Sequence, residues 1–137
     1  MKYPLALLLS FGLLAAPFPP SAQTKPTKPA AAPAACLMEG KFEFMGQEMD
    51  ISDCIQNDGA PHAQLLTACN GISEMATGMG IPAPTTTWLA SCPAKPQGRC
   101  LHMNGTRLTA YYYKRLVKDL PDVKSSCELM GGRYAEG

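Results

Sequence analysis

Six cysteines, at positions 36, 54, 69, 92, 100 and 127, follow an N-terminal segment with the features of an export signal. That combination restricts the chain more than any other feature. Disulfides form and persist outside the reducing cytoplasm, and a short secreted domain with an even cysteine count is read as a disulfide framework. The export segment is residues 1–22. Lys2 provides the positive start, Leu5 to Ala16 an uncharged apolar run, and Pro17, Pro19 and Pro20 end it before the small residues Ser21 and Ala22. The apolar run falls short of the roughly 20 residues that a bilayer span needs. No later segment is apolar enough to span, so no membrane span is expected after signal cleavage, and the folded protein is expected in the periplasm or outside the cell.

Residues 23–35 are rich in Pro, Ala, Lys and Thr. Pro26, Pro29 and Pro33 favour an extended chain with little to bury, so this stretch reads as a disordered leader. Residues 36–137 are then a single disulfide-rich domain. Its core is small, and three bridges would each add on the order of 2–4 kcal/mol by restricting the unfolded chain.

Hydrophobic periodicity defines the elements. Met38, Gly40 and Phe42 alternate with Leu37, Glu39 and Lys41, and Met49 and Ile51 with Glu48 and Asp50. Both are half-buried strands, joined at Met45-Gly46-Gln47. Asp58 and Pro61 open a helix in which Leu65, Cys69, Ile72 and Met79 recur at helical spacing, with Asn70-Gly71 as a weak point. Thr85 to Cys92, Arg99 to Met103 and Arg107 to Arg115 read as three more strands, the last the longest, with Asn104-Gly105 as a hairpin turn. Asp119 and Pro121 open a second helix carrying Val123, Cys127 and Met130 on one face; Gly131-Gly132 ends it. Arg133 to Ala135 adds a short final strand. The order ββαβββα, followed by that short last segment, gives a small α+β fold: an antiparallel sheet of about five strands with two helices on one face, in two layers.

Spacing alone leaves fifteen pairings of six cysteines. Cys36 and Cys54 flank the first hairpin, Cys92 and Cys100 flank the next loop, and Cys69 and Cys127 lie on apolar helix faces. The expected bridges are therefore Cys36–Cys54, Cys92–Cys100 and Cys69–Cys127. No C-x-x-C or short zinc-type spacing occurs, which removes the usual redox and structural-zinc signatures.

The formal net charge is +1, which excludes a general nucleic-acid binder. The best functional lead is the strand Arg107 to Arg115. Period two puts Arg107, Thr109, Tyr111, Tyr113 and Arg115 on the face opposite Leu108, Ala110 and Tyr112. Arg107, Tyr111, Tyr113 and Arg115 then form a tyrosine and arginine strip suited to a protein or glycan of the cell envelope. The simpler account of the strip is ordinary packing between neighbouring strands.

The reading that follows is an exported, disulfide-stabilised binding or interaction module, not an enzyme, with no cofactor and no resident metal. Two other classes stay open. Met38, Met45, Met49, Met75, Met79, Met103 and Met130, with His102, offer soft ligands of the kind that hold Cu(I), although methionine is equally an adaptable core filler. Asp50, Asp53 and Asp58 offer carboxylates for a small cell-envelope hydrolase, although solvation explains them as simply.

Overall fold

The computed structural model describes residues 31–44 and 46–137. The export segment, the leader up to residue 30 and Met45 lie outside the described residues. Ala34 and Ala35, at the end of the stretch read as leader, are tied into the sheet. Ala34 donates to the carbonyl of Leu89 and accepts from Asn57 N–H, and Ala35 is fully buried.

The strands are β1 (Ala35–Phe44), β2 (Gln47–Asn57), β3 (Thr85–Leu89), β4 (Gly98–Leu101), β5 (Leu108–Tyr112) and β6 (Arg133–Glu136). The helices are α1 (His62–Gly78) and α2 (Leu120–Leu129). Six strands form one antiparallel sheet in the order β3-β1-β2-β5-β4-β6, one more strand than the sequence suggests. Both helices cover the same sheet face. Cys36, Ile55, Ala110 and Cys100 are paired across successive strands and so share that face. Two clusters fill the space between the layers. One joins Cys36, Met38, Ile55 and Leu108 to Leu65 and Cys69 of α1. The other joins Cys100, Ala110 and Tyr112 to Cys127 of α2.

Local chemistry explains several element ends. The chain turns into α1 on Asn57, whose side-chain oxygen accepts from the N–H groups of Gly59 and Ala60. Asp58, the expected cap, instead accepts the hydroxyl of the buried Thr109 at 2.6 Å. The helix passes through Asn70-Gly71 unbroken, because packing of Leu65, Cys69 and Ile72 outweighs the weak propensity there. α2 closes with Gly131 in the left-handed region at φ +70°. The N–H groups of Gly131 and Gly132 reach back to Glu128 and Cys127 at 2.9 Å, the Schellman pattern.

The expected longest strand is short. β5 stops at Tyr112, while β2 runs for 11 residues. Gln97 is the reason. Its backbone N–H donates to the Tyr112 carbonyl, and its side chain then accepts from Arg115 N–H at 2.7 Å and donates to the Arg115 carbonyl at 2.9 Å. That amide occupies Arg115 as a neighbouring strand would, and the chain bends away from β2. β4 and β5 are joined by a helical turn at Met103–Gly105, with His102 and Asn104 at positive φ, and not by a tight two-residue hairpin.

All three expected bridges are replaced. The bridges are Cys36–Cys69, Cys54–Cys92 and Cys100–Cys127, with Cα atoms 6.4, 5.8 and 5.6 Å apart. Cys36–Cys54 fails on register. Leu37 is opposite Cys54 and Cys36 is opposite Ile55, so the two cysteines point to opposite faces. Cys69–Cys127 fails on sheet order. Cys69 meets β1 and Cys127 meets β4, and two strands lie between; at roughly 4.8 Å per strand the gap is about 14 Å, twice what a bridge can span. Cys92–Cys100 fails because β3 pairs with β1 and not with β4, leaving the two cysteines near no common hairpin. Two bridges therefore staple helix to sheet, and the third pins the loop after β3 to the opposite face. No cysteine is free.

Candidate functional site

The structure brings only part of the tyrosine and arginine strip together. Thr109 is buried against Asp58. Tyr111 lies opposite Cys54 on the face away from the helices. Tyr113 donates its hydroxyl to the Pro93 carbonyl at 2.6 Å, in the loop pinned by Cys54–Cys92. Loss of water around the Tyr113 phenol, together with the neighbouring Tyr111, pushes its pKa up to about 12, so it is a neutral donor. Arg107 is exposed, with its side chain beside Gly59. Arg115 leaves the strip altogether. The bend after Tyr112 sends it to the helix-bearing face, where its guanidinium lies 5.3 Å from the centre of the Tyr112 ring and pairs with Asp53.

That bend opens a groove of about 500 Å³. One wall is the β2 segment Gln47–Ile51, which has lost β5 as a neighbour. The other wall is the Lys114–Leu116 segment and the first turns of α2. Met49, Ile51, Tyr112, Leu116 and Val123 supply apolar lining, and Leu116 is 60% exposed. Lys41, Lys114 and Arg115 supply cations, while Glu48, Asp50, Asp119 and Asp122 supply carboxylates.

The charges are not equivalent. Lys41 and Lys114 both pair with Asp50, at 3.8 and 3.3 Å, in exposed contacts of small energetic weight. Arg115 and Asp53 are more buried. Desolvation raises the Asp53 pKa, and the attraction and hydrogen bond of Arg115 only partly counter it. Asp53 Oδ1 and Arg115 Nε are buried with no hydrogen-bond partner among the described residues. Glu48, Asp119 and Asp122 form no ion pair among the described residues. With all three cations already engaged, the groove has acidic charge to spare.

The other candidate ligands are dispersed. Met38 is in the core, Met103 packs against both clusters, and Met75 and Met79 are exposed near the end of α1. Met49 lines the groove and Met130 ends α2. His102 is exposed on the β4–β5 connection. Asp50 and Asp53, three positions apart on β2, point to opposite sheet faces, and Asp58 is bonded to Thr109 and Gln56. Among the described residues, no group of three His, Cys, Asp or Glu side chains is placed to hold a metal ion.

Sequence reasoning missed the groove because it carries the strand of β5 on to Arg115, where the structure ends it at Tyr112. No family model, curated protein or solved structure matches this chain. Three disulfides in a domain of this size are consistent with an exported protein. No helix among the described residues is long and apolar enough to cross a membrane.

Proposed function

We propose that this protein is an exported binding module whose recognition surface is the groove between β2 and α2. The observation that carries the reading is the departure of β5 after Tyr112, which leaves an apolar-lined, open groove bordered by carboxylates. Binding sites commonly combine such a lining with a few fixed polar groups. The Cys100–Cys127 bridge supports this role by holding α2 to the sheet, so that wall of the groove is positioned before a partner arrives. The Arg115–Asp53 pair fixes the groove floor and is occupied internally. Tyr111 faces the opposite side of the sheet, and Tyr113 supports the pinned loop through its bond to Pro93. The partner is a cell-envelope protein, with no nucleic acid and no cofactor involved.

Site-specific photo-crosslinking in the producing cells tests this. A benzophenone amino acid at Leu116 should give a discrete covalent adduct, while the same group at Tyr111 should not. Adducts from position 111 alone, or none from position 116, would overturn the assignment.

A further inference from the structure

The site contains an unused strand edge, and the following inference rests on the groove being the recognition surface. β2 pairs with β5 only over Asp53–Asn57, and the last backbone bond on that side runs from Tyr113 N–H to the Ser52 carbonyl at 3.0 Å. Backbone groups alternate along a strand, so Asp50 and Glu48 aim their N–H and C=O groups the same way as Ser52. Among the described residues no strand pairs with Gln47–Ile51 on that side, although β1 pairs with it on the other. The groove is therefore the lane that β5 has vacated.

We infer that the groove takes an extended peptide segment of a partner protein, bound as an extra strand on the Gln47–Ile51 edge. Main-chain bonds to Glu48 and Asp50 would hold it, and alternate side chains would enter the lining formed by Met49, Ile51 and Val123. Charge selects its chemistry. Lys41 and Lys114 share the Asp50 carboxylate and Arg115 pairs with Asp53, while Glu48, Asp119 and Asp122 have no ion-pair partner among the described residues, so carboxylates outnumber cations around the groove. The segment therefore alternates apolar residues with lysine or arginine. A second copy of this chain fits less well, since its own edge carries the same acidic residues.

The test uses oxidised protein expressed from the full chain and an acetylated, amidated hexapeptide of alternating lysine and valine. NMR titration should shift groove resonances, and saturating peptide should slow amide hydrogen exchange at Glu48 and Asp50 at least ten-fold. The peptide methylated at every internal amide nitrogen should not bind. Glutamate in place of lysine should weaken binding at least ten-fold, and the E48Q variant should bind the lysine peptide several-fold more weakly. Equal binding of the methylated peptide, or groove shifts without protection of Glu48 and Asp50, would reject strand addition while leaving the groove as the recognition surface. Absence of any groove shift with the lysine peptide would reject the basic extended segment, and the crosslinking result at Leu116 would still decide the groove independently. Concentration-dependent dimerisation with the same two amides protected would make a second copy the occupant and overturn the assignment.

Discussion

Replacing Gln97 by alanine should loosen the groove wall from behind. The Gln97 amide makes two bonds to the Arg115 backbone, at 2.7 and 2.9 Å, while Lys114 and Arg115 are otherwise held through their side chains, on Asp50 and Asp53. At about 0.5–1.5 kcal/mol net per hydrogen bond, Gln97→Ala should cost about 1–3 kcal/mol. For a domain of this size, a loss of about 2 kcal/mol lowers Tm by roughly 8–16 °C. Urea and thermal unfolding followed by circular dichroism would measure both. A second readout separates this role from general packing. If Arg115 is aimed at Asp53 by this clamp, releasing it removes the attraction that partly counters Asp53 desolvation, and the Asp53 carboxyl should titrate higher still. Carbon-detected NMR of the side-chain carboxyl reads that shift. A loss under about 0.5 kcal/mol with an unchanged Asp53 titration would refute the clamp, since two bonds to backbone groups cannot be removed so cheaply.

Three further outcomes rest on the same contacts. A Cβ on Gly132 would lie 2.6 Å from Cys100 Sγ and 3.0 Å from Cys127 Sγ, so Gly132→Ala should cost about 1–3 kcal/mol; unchanged denaturation midpoints would contradict that packing. The three loops span 27, 33 and 38 residues, so loop entropy assigns each bridge nearly the same value, about 3.5–4 kcal/mol; access differs instead. Only Cys92 is half-exposed, so limited reduction with alkylation should label Cys54 and Cys92 first, and early labelling of Cys36 or Cys127 would oppose this. Asp53 holds its proton to higher pH when folded than when unfolded, so its contribution is complete below the ordinary aspartate pKa and is lost as pH rises through the folded value. The stability of the natural protein relative to Asp53→Asn should therefore fall as pH rises above the ordinary aspartate value of 3.8; a rise instead would show that Arg115 outweighs burial.

The layer architecture was readable because alternation and helical spacing are local signals. Met38, Ile51, Leu65 and Cys127 each sit on the face their spacing implies. The bridges were not readable, because each depends on which strands are neighbours in space. Cys36 and Cys54 differ by a single step of register from the pair that would face each other, and period two turns that step into opposite faces. The end of β5 was hidden for a similar reason. Tyr111, Tyr112 and Tyr113 have strong strand propensity, and only the distant side chain of Gln97 interrupts them. The groove inherits that difficulty: it exists where two strands differ in length, and neither length was fixed by its own residues.

Disulfide connectivity is the measurement that bears most directly on this account, since the bridges set the layers that frame the groove. Trypsin alone cannot report it, because no lysine or arginine lies between Lys41 and Lys95. A non-reducing digest that also cuts at aromatic and acidic residues, read by mass spectrometry on protein secreted by its own cells, separates all six cysteines. The expected products join Cys36 to Cys69, Cys54 to Cys92 and Cys100 to Cys127, with no alkylatable thiol. A peptide joining Cys36 to Cys54, or a free thiol at any of the six, would contradict it.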